Sequence, residues 1–206
     1  MSEGTPIAKR RGRDSVKAAL IQATKELLGD EGPSRLSVRQ VAARAGVNHG
    51  QVQHYFGGKS GLVRATMHEL AREHFESATA PAGDDNLPKP LALNGDLEYL
   101  RAVVRLVMDD ALDIATLDID EGLSVARYYL TLMFDVESVN ELPLAAKVPV
   151  MTCMAMELGW AAMEPFLMMQ TGIAEEDRDL ARAHARNIAR AFAREVLRPQ
   201  KIPATV

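Results

Sequence analysis

A chain of 206 residues with 47% hydrophobic side chains can bury a core in one large domain or two small ones, and the net charge of −4 argues against a uniformly basic polyanion binder. Split at residue 60, however, the first part carries ten Lys/Arg against five Asp/Glu, a net +5, and the remainder 14 against 23, a net −9, so favourable phosphate contact is confined to one end. The lone Cys153, the polar basic N-terminus and the lack of any apolar stretch near the roughly 20 residues needed to span a bilayer predict a cytoplasmic protein with no internal disulfide, no export signal and no membrane partner.

Residues 1–13 read as a disordered basic arm, with Lys9, Arg10, Arg11 and Arg13 able to lie along phosphates or enter a minor groove, or simply to stay solvated. Asp14 or Ser15 is expected to cap a first helix with an apolar stripe of Val16, Leu20, Ala23 and Leu27, closed by Gly29, Gly32 and Pro33. Ser37 then opens a short helix in which Val38, Val41, Ala42 and Ala45 share a face, and Gln40 completes a capping box. Gly46 suits the left-handed residue that ends a helix, Val47 the corner, and Asn48 the cap of a second helix. That second helix has Val52 and Phe56 on one face and otherwise His49, Gly50, Gln51, Gln53, His54 and Tyr55. Gln, His and Tyr can meet base edges or phosphates, and glycine allows close approach to a sugar-phosphate wall. A polar surface helix of a small bundle is the alternative reading.

The run SVRQVAARAGVNHGQVQHYFGGKSGLVRA resembles the DNA-binding domain of TetR/AcrR-type transcriptional regulators. Ser37, Ala45-Gly46-Val47-Asn48, Gly50, Tyr55-Phe56, Lys59 and Leu62 match the family pattern in order and spacing. Gln53 stands where the family usually has a phosphate-binding Tyr, so that contact is absent here or made differently. The close match covers about the first third of the chain, and its motif does not identify a ligand.

Gly57-Gly58 breaks the chain, and Lys59-Ser60 opens a long linker helix over 60–79, with Leu62, Val63, Met67 and Leu70 as its packing face. Lys59 at its start is a natural phosphate contact. His68 and His74 are six residues apart, about 240° around a helix, so they make no shared zinc site and are expected at the surface or facing the linker. Residues 80–95, rich in Pro, Gly and Asp, read as a loop. Further helices are expected over 97–114, 123–136, 148–171 and 176–197. The helix over 148–171 is apolar around most of its circumference, so one side can face its own domain and another a second subunit, joined by the last helix. In TetR-like proteins the last two helices form the dimer interface, which points here to Trp160, Met163, Phe166, Leu167, Leu180, His184, Ile188 and Ala191. The alternative is that both helices complete a monomer core. Arginines recurring every four residues, from Arg178 to Arg198, are expected to pair with Glu175, Asp179 and Glu195 or with Glu157 and Glu164.

The expected fold is all-α: a three-helix helix-turn-helix DNA-binding domain (1–60, motif 37–56) and a helical ligand-binding and dimerisation domain (61–206). The expected function is a homodimeric, ligand-responsive repressor, with double-stranded DNA bearing a palindromic operator as partner. Ser37, Arg39, Asn48, His49, Gly50, Gln51, Gln53, His54, Tyr55 and Lys59 would bind DNA. The resemblance implies a small apolar or aromatic effector, for which Met108, Leu112, Tyr128, Met133, Phe134 and Met151 are candidate contacts; the same residues describe a packed core equally well. No cofactor, metal or catalytic group is expected. A ligand-independent regulator or activator, and an all-helical small-molecule enzyme, remain the competing readings.

Overall fold

The structure is a computed structural model describing residues 6–80 and 95–197, with side chains from residue 12 onward. Every regular element among the described residues is helical. The order is α1 (Pro6–Arg35), α2 (Val38–Arg44), α3 (Gly50–Phe56), α4 (Lys59–Thr79), α5 (Leu97–Met108), α6 (Leu112–Ala115), α7 (Leu117–Asp120), α8 (Val125–Phe134), α9 (Leu144–Thr171) and α10 (Arg178–Val196). The loop expected over 80–95 lies almost wholly outside the described residues.

The chain divides into two compact units, residues 1–73 with 98–121, and residues 74–97 with 122–206. The first is larger than the expected 1–60 domain. Leu62, Val63, Met67 and Leu70 of α4, Ala102 and Leu106 of α5 and Ala115 of α6 share one core with Leu20, Leu27 and Leu28 of α1, Val41 of α2 and Val52 of α3. A three-helix head of this size exposes too much apolar surface by itself, and α4 to α6 cover it. Lys25, almost wholly buried, crosses from α1 to Glu73 on α4 at 2.5 Å, so its charge is paired where it leaves water.

The N-terminal arm is helical from Pro6 in the structure, which corrects the expected cap at Asp14 or Ser15. Proline suits the first turn of a helix, and Ala8 and the following Lys and Arg residues are good helix formers. Ser15 Oγ bonds back to the Gly12 carbonyl at 3.0 Å instead of capping. The helix over 97–114 also ends early, at Met108. Asp110 takes φ 59°, and Ala111 N–H and Asp110 N–H return to the Leu106 and Val107 carbonyls, a Schellman stop built without glycine. In contrast, α9 begins four residues before the expected Val148 and runs through Pro149 and Pro165.

The second unit has a smaller core of Leu130, Leu142, Ala146, Val150 and Leu197, with Met133, Phe134 and Cys153 partly buried against it. Burial pushes the Cys153 thiol up, as expected of an unreactive small side chain. His74 is buried with Nδ1 2.8 Å from Asp96, just past the 80–95 segment and so not at the surface, whereas His68 is more exposed and faces Glu121 at 3.8 Å. Glu164 of α9 and Arg182 of α10 form a two-pronged pair at 2.6 and 2.7 Å. Arg178 meets Glu175 at 2.7 Å, so these two arginines of the series pair locally and with the neighbouring helix.

Candidate nucleic-acid interface

The reading unit is built from local signals. Ser37 N–H donates to Gln40 Oε1 at 3.2 Å, one arm of the capping box that starts α2. At its end Gly46 takes φ 67°, and Val47 N–H reaches the Ala42 carbonyl at 2.9 Å, which seats Val47 against the core. Asn48 Oδ1 accepts from Gly50 N–H at 2.9 Å and closes the front of α3. The first helical hydrogen bonds place the cap one residue later, at His49, a difference within the usual blurring of helix ends.

Val52 is wholly buried and Phe56 partly so, which anchors α3 by one face only. Arg39, Asn48, His49, Gly50, Gln53 and His54 are exposed, while Ser37, Gln51, Tyr55 and Lys59 are half-buried. The ten residues expected from sequence therefore lie along one short stretch, with six of them open to solvent. Tyr55 is held more firmly than its neighbours. It packs on the core cluster, the His54 ring meets it edge-on at 4.7 Å, and the Arg13 guanidinium stands 5.8 Å from its ring centroid. Sequence reasoning placed Arg13 in an arm and missed this ring contact.

The turn after α3 is tight. Gly57 takes φ 70° and Gly58 φ 116°. A Cβ on Gly58 would meet Gln53 Oε1 at 3.3 Å, so the Gln53 side chain folds back toward that turn. A Cβ on Gly61 would lie 1.8 Å from the Phe56 carbonyl oxygen, so the first turn of α4 can sit against the end of α3 only with hydrogen there. Gly61 was not singled out from sequence, although it lies inside the matching run. Lys59 Nζ donates to the Ser34 carbonyl at 3.3 Å, which keeps the ammonium beside the turn between α1 and α2.

The other expected sites spread differently. Met108 and Leu112, candidate effector contacts, belong to the first unit and are 77% and 52% exposed. Tyr128, Met133, Phe134 and Met151 belong to the second. There Met133 and Phe134 are packing residues, Met151 is exposed, and Tyr128 meets the Phe75 ring edge-on at 5.5 Å and Tyr129 at 5.2 Å. Met108 and Leu112 thus fall in one unit and the other four candidates in the second. Of the expected dimer residues, Met163, Phe166, Leu167, Leu180, His184, Ile188 and Ala191 are exposed and Trp160 is half-buried.

A profile of the bacterial regulatory proteins of the tetR family matches residues 20–66, which span the second half of α1, α2, α3 and the first turns of α4. Over 164 residues, 80% of this chain and 81% of the relative, the sequence is 31% identical to a Mycobacterium tuberculosis protein named as an HTH-type transcriptional repressor. It is 37% identical over 95 residues to the HTH-type transcriptional regulator BetI of Stenotrophomonas maltophilia, covering 45% of this chain and 43% of that one. The crystal structure of a TetR-family transcriptional regulator from Rhodococcus sp. superposes with a TM-score of 0.56 at 17% identity, over 87% of this chain and 98% of that one, a likeness of fold. With a relative of this identity matched over four-fifths of its length, the chain belongs to the tetR family of bacterial regulatory proteins, helix-turn-helix regulators of transcription.

Proposed function

We propose that this regulator is a cytoplasmic homodimeric repressor that reads a palindromic operator with two copies of α3. The observation that carries the reading is the one-sided anchoring of α3: Val52 is buried, and His49, Gly50, Gln53 and His54 are left in solvent without the Lys and Glu of an ordinary surface helix. In this reading His49, Gln51, Gln53 and His54 approach base edges in the major groove. Ser37, Arg39, Tyr55 and Lys59 hold phosphates, with Asn48 and Gly50 at the close approach of the helix start. The net +5 of residues 1–60 supports placing the polyanion there.

Dimerisation is proposed through α9 and α10. Met163, Phe166 and Leu167 on one helix and Leu180 and Ile188 on the other expose large apolar side chains, more than a soluble monomer usually shows on one helix pair. Two such pairs around a two-fold axis would make a four-helix interface and set the heads about one DNA turn, roughly 34 Å, apart. A small apolar or aromatic effector is proposed to bind in the second unit, where Tyr128 with Phe75 and Tyr129 offers aromatic edges. It releases the operator only by binding one head separation better than the other. Met108 and Leu112 are given no part in that site.

Footprinting on the DNA beside its own gene, with and without a metabolite panel, tests the whole reading. Within it, Lys59→Ala should weaken binding to every duplex and lower the salt slope by about one. Gln51→Ala should instead relax base preference at one operator position. A Lys59→Ala loss confined to the operator, or an unchanged preference in Gln51→Ala, removes that residue from its role.

A further inference from the structure

Ser34 lies in the last turn of α1, exposed, yet each of its polar groups has a partner. Its N–H donates to Asp109 Oδ2 at 3.0 Å and its hydroxyl donates to the same oxygen. Its carbonyl accepts from Lys59 Nζ at 3.3 Å. Asp109 comes directly after α5, so three segments distant in sequence meet at one serine.

The approach of α5 to this turn is built into the backbone. Gly32 leaves the helical region at φ 79° and ψ 168° and breaks α1 just before Ser34. A Cβ there would come within 3.1 Å of the Asp109 carboxylate and 3.5 Å of Arg105 Cβ, so both its left-handed φ and the close packing favour glycine. A Cβ on Gly29, one turn earlier, already stands 3.3 Å from Arg101 Cβ. Arg105 Nη2 donates to the Asp30 carbonyl at 3.4 Å. On the α5 side, the Schellman stop at Asp110 fixes where Asp109 emerges. The Ser34 hydroxyl, then its N–H, hold the Asp109 carboxyl below the usual carboxylate range, with Arg105 and Arg35 adding to the effect.

We propose that Asp109 is a positioning residue for DNA binding: it clamps Ser34 so that the Ser34 carbonyl fixes the place from which Lys59 reaches a phosphate. Asp109 itself is an anion and has no attraction for DNA. The inference rests on the reading that Lys59 contacts phosphate. It makes a prediction of opposite sign to simple electrostatics, because removing a negative charge from a DNA-binding unit ordinarily strengthens binding.

The test uses the full-length protein and a mixed-sequence duplex at low salt, since phosphate contacts do not depend on sequence. Dissociation constants are measured across a salt series for the wild type, Asp109→Asn, Ser34→Ala, Lys59→Ala and the double variant Asp109→Asn/Lys59→Ala. Asp109→Asn should weaken binding about ten-fold and lower the salt slope by about one, as Lys59→Ala does. Ser34→Ala keeps the backbone bond and should lose less. In the Lys59→Ala background Asp109→Asn should cost nothing further. Thermal melts of each variant separate this from unfolding: general loosening of the head would lower affinity without changing the slope. Unchanged or tighter binding by Asp109→Asn, or losses that simply add to those of Lys59→Ala, overturns the proposal and leaves the Lys59 reading standing. A neutral Lys59→Ala removes that reading, and the clamp falls with it.

Discussion

The head and the α9/α10 pair treat their apolar side chains in opposite ways. In the head, Leu20, Leu28, Val41, Val52 and Leu62 are fully buried, and the face that α3 leaves in solvent is polar. Along α9 and α10, Met163, Phe166, Leu180 and Ile188 lie in solvent, and the carboxylate of Glu164 is among the few buried side chains of the pair. A unit that satisfies its own apolar surface can present a polar one to DNA. A helix pair that does not has a surface left for a protein partner. The two regions thus differ in the kind of surface each leaves unburied.

Three substitutions or conditions would break or sharpen that contrast. The largest effect is expected in the head. Gly61→Ala puts a methyl against the Phe56 carbonyl, where a Cβ would stand at 1.8 Å, and should cost about 3 kcal/mol in thermal or denaturant unfolding. A variant as stable as the wild type would mean that the α3–α4 turn is not tight. Next, Phe166→Glu combined with Ile188→Glu should leave the head folded but weaken self-association about 100-fold in sedimentation. Each charge enters a two-fold interface twice. Undiminished dimers would place the interface elsewhere.

The smallest effect is on acid stability. Hydrogen bonding to Arg182 holds the Glu164 carboxyl below its usual range, and Arg72 does the same for Glu69. A carboxyl depressed on folding contributes stability above its unfolded pKa and loses it as pH falls through the folded value. Both pairs should therefore hold at neutral pH and fail only below about pH 4. Glu164→Gln should remove about 1 kcal/mol at pH 7, since Arg182 is partly solvated, and flatten that unit's share of the acid limb. An acid limb identical to the wild type would mean the Glu164–Arg182 pair carries no linkage.

Much of the head was legible because its signals are local. The Ser37–Gln40 capping box, the left-handed Gly46 that turns Val47 into the core, and the Asn48 side chain at the start of α3 each act over a few residues, and the structure has all three. The start of α1 was misread because a run of basic residues looks solvated even when each is a good helix former. The helix expected over 97–114 ended early for a different reason: the αL position at Asp110 carries no glycine to announce it. The effector residues could not be grouped from sequence, because Met and Leu at helical spacing look alike whether they line a core, an interface or open solvent.

The sequence by itself determined that this protein is helical, where its reading unit begins and turns, and which end carries positive charge. Those follow from hydrogen bonds and charges that act between near neighbours in the chain. Only the tertiary structure decided that α5 completes the head and that Asp109 grips Ser34 across 75 positions. It also decided which apolar residues remain uncovered. Burial is a property of what packs against a residue, and no spacing along the chain specifies that partner.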